Sequence, residues 1–289
     1  MFRSAIAVAA VVLAASAAQA QGRTGGQGVN LGAPPPPPGA GKPQPPPRTP
    51  AGRIIIEGAG PNGKGIWMSL FPTGVVAHLA PLEQMPFQPW ARQLYTERLA
   101  HQLEPHARCK PSGSVRQMQT PYGVEILDRP ELQRLYIFDI GGPHSYREVF
   151  MDGRPHPASP VRSAYGHSIG WWEGDTLVVD TTGYNEGFWI DRRGLPATER
   201  LRTLERFTRR LHDTMSYEIT IDDPGAYTQP FSGRFDLRLD ADHALFEYMC
   251  QESNYAGDLM LGNAAGGGPE GPPLRSGPRP VEVTPPVVP

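Results

Sequence analysis

Cysteine is nearly absent from this chain of 289 residues: two stand in it, Cys109 and Cys250. Neither has the close spacing partners that a cysteine-based metal or catalytic site requires. An excess of either charge is missing too. Lys and Arg number 27 against 29 Asp and Glu, a net charge of −2, which argues against nucleic acid or anionic lipid as a partner. No apolar run reaches the ~20 residues of a membrane-spanning helix. Aromatic residues are lacking at both ends, where only Phe2 lies outside residues 51–261. Also missing are a nucleophile elbow, a phosphate-binding glycine loop and a dinucleotide fingerprint, so no cofactor is expected.

What fills the ends is Pro and Gly. Residues 21–50 hold ten Pro and seven Gly, and residues 262–289 hold eight Pro and six Gly. Segments without aromatics or regular apolar spacing bury too little surface to offset their ordering entropy, so both are expected to be disordered. The runs Pro34 to Pro38 and Pro45 to Pro47 give the first one the stiffness of a tether. Ahead of it, Arg3, the apolar stretch Ser4 to Ala17 and the small-x-small end Ala18-Gln19-Ala20 read as a cleaved signal peptide over residues 1–20. The expected location is periplasmic or secreted. In that oxidising setting Cys109 and Cys250 read as a disulfide, with two buried free thiols as the other reading. A ring of roughly 140 residues closed in this way gains about 5 kcal/mol in the chain-entropy model.

The remaining residues, 51–261, read as one β-rich globular domain. A helix is predicted over 88–104, with Pro89 at its start, Pro105 beyond its end, and Trp90, Leu94, Tyr95, Leu99 and Leu103 recurring at three and four. From Tyr122 the period changes to two. Met215, Tyr217, Ile219 and Ile221 alternate with polar neighbours, as do Phe235, Leu237 and Leu239. Further runs cover 122–128, 132–140, 145–151, 167–173, 175–182, 200–211 and 244–251, which makes nine strands. Short turn-forming links force antiparallel neighbours, so the expected fold is a meander closed or partly closed into a lipocalin-like barrel. A β-sandwich is the alternative.

Candidate chemistry lies on that frame. Along 200–211, Leu201, Glu205, Phe207 and Leu211 share one face, and Arg200, Arg202, Arg206 and Arg210 share the other. Glu205 therefore falls among apolar neighbours, where a carboxylate is either a paired ion or a candidate acid or base. His144, His156 and His167 precede it. They match no metal spacing, so no metal is expected, and they read as acid–base partners or as satisfied rim histidines. His167 shares strand parity with Ile169 and Trp171, which leaves it free to point inward. The long connection Gly183 to Gly194 carries Asn185, Trp189 and Asp191, a composition suited to gripping a ligand or to a lid plugging one barrel end. Arg154, Trp171, Asn185 and Trp189 are the candidate ligand contacts, and Glu205, His156, His167 and Asp191 the candidate catalytic groups.

Asp152-Gly-Arg-Pro-His-Pro157 and Gly166-His-Ser-Ile-Gly-Trp-Trp-Glu-Gly-Asp-Thr-Leu-Val-Val-Asp-Thr181 form a pattern with several shorter pieces. These are Cys109-Lys-Pro111, Pro121-Tyr122, Trp189-Ile-Asp191, Glu205-Arg-Phe207, Thr220 to Pro224 and Glu247-Tyr-Met-Cys250. Together they resemble a large uncharacterised family of secreted bacterial proteins, over about Pro89 to Asn254. The resemblance implies a signal-peptide-bearing domain whose pattern includes both cysteines, and it implies no activity. The chain departs from the pattern at Pro196-Ala-Thr-Glu199, where the family has Pro-His-Ser-Glu.

Three functions follow as expectations. The first is a periplasmic or secreted barrel that binds a small apolar, aromatic or glycosidic molecule. The second is a metal-independent enzyme with Glu205 and His156 or His167 as acid and base, and Arg154 or Asn185 holding an oxyanion or hydroxyl. The third is an envelope-interaction protein that works through its Pro-rich ends. Oligomeric state is not legible.

Overall fold

The computed structural model describes residues 43–58, 65–69, 84–102, 104–120, 122–139, 145–246 and 250. Nine strands close into one barrel in chain order: β1 (Ile66–Ser69), β2 (Val124–Arg129), β3 (Arg134–Asp139), β4 (Ser145–Phe150), β5 (His167–Glu173), β6 (Thr176–Thr182), β7 (Arg202–Leu211), β8 (Thr214–Asp222) and β9 (Phe231–Asp240). Helix α1 (Pro89–His101) and the short helix α2 (Ser114–Gln117) lie between β1 and β2.

The barrel expectation holds, with two corrections. It is mixed rather than wholly antiparallel, because β4 and β5 pair in parallel through Val149 with Ser168 and Phe150 with Ile169. A ring of strands taken in order reverses direction at every antiparallel step, so an odd number closes only if one step is parallel. The long connection 151–166 supplies that step. The nine strands are also not the nine expected. Residues 244–246, which open the last expected run, lie outside any strand. Ile66–Ser69, too short for a period to show, pairs instead with both β9 and β2 and closes the ring.

Alternation then decides what fills the bore. Leu135, Ile137, Val149, Leu177, Val179, Phe207, Met215, Ile219 and Leu237 are buried on the inner face. Gly170 faces the same way, and a Cβ there would meet Val149 and Met151 at 2.8 and 2.7 Å, so the close β4–β5 approach needs glycine.

Both ends are covered by the chain itself. At the end carrying the β5–β6 turn, Ile54 and Ile56 are fully buried. The Trp67 Nε1–H donates to the Ile56 carbonyl at 3.0 Å, and Arg209 donates to the carbonyls of Ile55 and Glu57 at 2.7 and 2.8 Å. This strap begins inside the stretch read as a tether to Pro50. His212 N–H donates to Gln44 O at 2.9 Å, Ile55 N–H to Pro47 O at 3.0 Å, and Arg48 pairs with Asp175 at 2.6 Å. Prolines lack the N–H but keep the carbonyl, so a Pro-rich segment still packs as an acceptor edge.

At the other end α2 is buried along its whole length, with Tyr184 and Phe188 of the connection after β6 beside it and Ile190 and Leu195 of the same connection also buried. Gly113, at φ 80°, abuts Phe188 so closely that a Cβ would lie 2.3 Å from its ring. Helix α1 covers this end with a narrower face than its periodicity implies: Ala91 and Tyr95 are buried, while Leu99 is exposed. Cys109 and Cys250 are bridged, with Cα atoms 5.6 Å apart, and this ties the chain beyond β9 to the segment between the helices. The signal-peptide and tail readings, His144 and Leu103 lie outside the described residues.

Candidate functional site

The candidate residues divide between the bore and the outer wall. Glu205 faces inward, as its parity predicts, and is fully buried. It does not look into a hollow. Arg147, on the non-adjacent strand β4, reaches across the bore and binds both carboxylate oxygens, Nη1 to Oε2 and Nη2 to Oε1 at 3.1 Å. Tyr217 Oη–H donates to Oε1 at 2.9 Å. Burial alone would lower the Arg147 pKa, but the Glu205 carboxylate more than offsets this and the net direction is up. Tyr184 lies in the same region, its hydroxyl 2.7 Å from those of Ser114 and Thr203, and burial followed by the Glu205 charge pushes it up to about 12. The rings of Phe207 and Phe235 flank Tyr217 at 5.0 and 4.9 Å. A closed barrel with buried aromatic clusters is consistent with a small-molecule pocket, yet its centre is occupied by this ion pair. Glu205 would have to leave two partners before it could exchange a proton.

Both histidines lie outside. His167 shares its face with Ile169 and Trp171, and Trp171 is 37% exposed, so that parity is the outer one. The wall therefore separates His167 from the Glu205 interior, and the Glu205–histidine pairing expected from sequence is not formed. Instead the 151–166 connection brings His156 onto His167. Their Nδ1 atoms are 2.9 Å apart and their ring centroids 5.1 Å apart, so the two nitrogens lie between the rings and face each other across one shared proton. His156 Nε2 stands 3.7 Å from Asp180, whose carboxylate accepts two bonds from Arg202, at 2.9 and 2.5 Å. Burial lowers both imidazole pKa values; for His167, the neighbouring His156 and Arg154 lower it further. Phe150 stacks on His167 at 5.0 Å and carries the Arg134 and Arg154 guanidinium groups at 4.4 and 4.2 Å. Arg154 in turn draws the Asp152 carboxyl down to about 2 by hydrogen bonding.

The other candidates are scattered. Asp191 is fully buried and its Oδ1 accepts the N–H groups of Arg193, Gly194 and Leu195, each at 3.0 Å, which makes it the anchor of a turn. Trp189 is buried beneath the Arg98 guanidinium of α1, 5.0 Å from its ring, so it packs helix to connection and does not plug the bore. Asn185 accepts the Gly187 N–H at 3.0 Å, and Trp171 donates to Glu173 at 3.0 Å. A recess of about 330 Å³ lies on the outside of β7–β9, bounded by the cross-strand rows Arg206–Glu218–Arg234 and Leu204–Thr220–Ser232.

Sequence reasoning missed Arg147, Asp180 and Phe150. A signal for Arg147 existed: it shares parity with Val149, so a charge was due in the bore opposite Glu205. Among the described residues no group of three or more His, Cys, Asp and Glu side chains is placed to hold a metal ion. No family model matches the chain, and comparison with curated proteins and with solved structures gave no match either.

Proposed function

We propose that the protein is a secreted or periplasmic small-molecule binder of the family that its Trp172-Glu-Gly-Asp175 core resembles, and that its ligand docks on the outer wall around β4, β5 and β6. The observation that carries this reading is the convergence of three sequence-level candidates, Arg154, His156 and His167, around Phe150, with the His pair bonded at 2.9 Å. The filled centre and covered ends support a wall site over a calyx site. Positioned polar groups beside an aromatic surface are what orient a small ligand. Mass spectrometry of the protein under non-denaturing conditions, after exposure to cell extract, is expected to find a retained small molecule. His167→Ala with Arg154→Ala should lose it and Tyr184→Phe should keep it. Retention by the wall variant would refute the assignment.

The Asp180–His156–His167 chain favours a second reading, acid–base catalysis with Asp180 in the role first given to Glu205. Asp180 stands 3.7 Å from His156 Nε2, close enough to favour a positive charge on that imidazole without a hydrogen bond to it, and the bonded Nδ1 atoms leave His167 Nε2 as the exchanging group. Asp180→Asn would then lower turnover more than substrate binding, whereas equal effects on both would count against catalysis.

A further inference from the structure

Beside Phe150 the outer wall carries aromatic side chains of β3 and β4 that the reading above does not use. Register places three cross-strand rows on the outside of β2, β3 and β4: Glu125–Phe138–Tyr146, Leu127–Tyr136–Glu148 and Arg129–Arg134–Phe150. Tyr136, Phe138 and Tyr146 form a triangle of rings with centroids 5.8 to 6.2 Å apart. Tyr146 is 58% exposed, whereas Tyr136 and Phe138 are half-buried against the wall. A carboxylate stands beside the rings in each of the first two rows, Glu125 next to Phe138 and Glu148 next to Tyr136. Arg134 Nε donates to Glu148 at 3.0 Å and compensates its charge.

We propose that this wall binds a neutral oligosaccharide, laid across Tyr146, Phe138 and Tyr136 and running along β4 towards Phe150 and His167. The proposal rests on the outer wall being the ligand face and names the class of ligand. Aromatic faces pack on the CH-bearing face of a sugar ring, and carboxylate, phenol and guanidinium groups fix its hydroxyls. From Tyr146 to Phe150 is four residues, ~13 Å at ~3.3 Å per residue, the length of a short oligosaccharide. An anionic ligand would meet the Glu125 carboxylate beside the Phe138 ring. A protein partner needs about 800 Å² from each side. Three aromatic side chains supply at most ~150–250 Å² each, and two of these are already partly covered.

Isothermal titration of the full chain with chitohexaose, cellohexaose and maltohexaose tests this, with sedimentation velocity in parallel. At least one sugar should bind. Tyr146→Ala combined with Phe138→Ala should weaken it by roughly tenfold in a variant that circular dichroism shows to be folded, as the loss of two stacking contacts implies. Tyr146→Phe should retain it. No heat with any of the three sugars, or binding indifferent to the double substitution, overturns the proposal. So does self-association abolished by that substitution, which would assign the wall to a second copy of the chain. A molecule from extract that still binds the Tyr146/Phe138 variant but not the His167/Arg154 variant would overturn the oligosaccharide alone. Retention of that molecule by both variants would remove the ligand face as well.

Discussion

Glu205 shows how far a single residue can be read. Its parity on β7 put it in the bore, and its burial required a partner, but strand alternation does not say which charge on a distant strand arrives. Arg147 does, and the pair is tied to Tyr217. Removing one member of such a buried pair costs about 3–5 kcal/mol, because the other is left uncompensated. Denaturant titration should show that loss for Glu205→Ala, and Arg147→Met with Glu205→Leu should recover most of it. An intact midpoint in the single variant would contradict the pairing. The histidines were misread for a related reason: His167 was correctly aligned with Trp171, and the face they share is the outer one. Both imidazole pKa values are lowered from 6.5, first by burial. The unfolded chain takes up these protons at higher pH, so their contribution to stability is complete above ~6.5 and is lost as pH falls through the lower folded values. Imidazole NMR titration should place both midpoints below that of an unfolded control; either one at or above it would refute the environment described.

Elements were legible where they are long and alternate, as in β7, β8 and β9, and illegible where they are short. β1 has four residues, and its place in the barrel comes from pairing with β9 and β2 rather than from any pattern of its own. The strap over residues 44–57 was hidden by its prolines, which read as a tether although the Pro47 and Gln44 carbonyls are bonded. Deleting residues 43–57 should expose Trp67, fully buried in the intact chain, and shift Trp fluorescence to the red. An unshifted spectrum would show that the strap does not cover that end. The disulfide belongs to the same scale. It closes a separation of 141 residues, so Cys109→Ser with Cys250→Ser should lower unfolding free energy by up to roughly 5 kcal/mol in the chain-entropy model.

For the molecule as a whole, a closed ring was inferable because nine strands with short links must hide their edges. A parallel step already follows from the count of nine strands that the sequence suggests, but placing it at β4–β5 needed the true pairing across the long 151–166 connection. What composition could not convey is that the chain would fill its own bore with the Glu205–Arg147 ion pair and cover both ends, while Arg154, His156 and His167 stand on the outer wall. The proposed function is therefore assigned to the wall. Methyl NMR of the protein with its ligand bound tests this most directly, since Ile169 lies on the outer face beside His167 and Val149, Val179 and Ile219 lie inside. The account predicts shifts at Ile169 with the three inner methyl groups unmoved; shifts at the inner groups with Ile169 silent would place the ligand in the bore and contradict it.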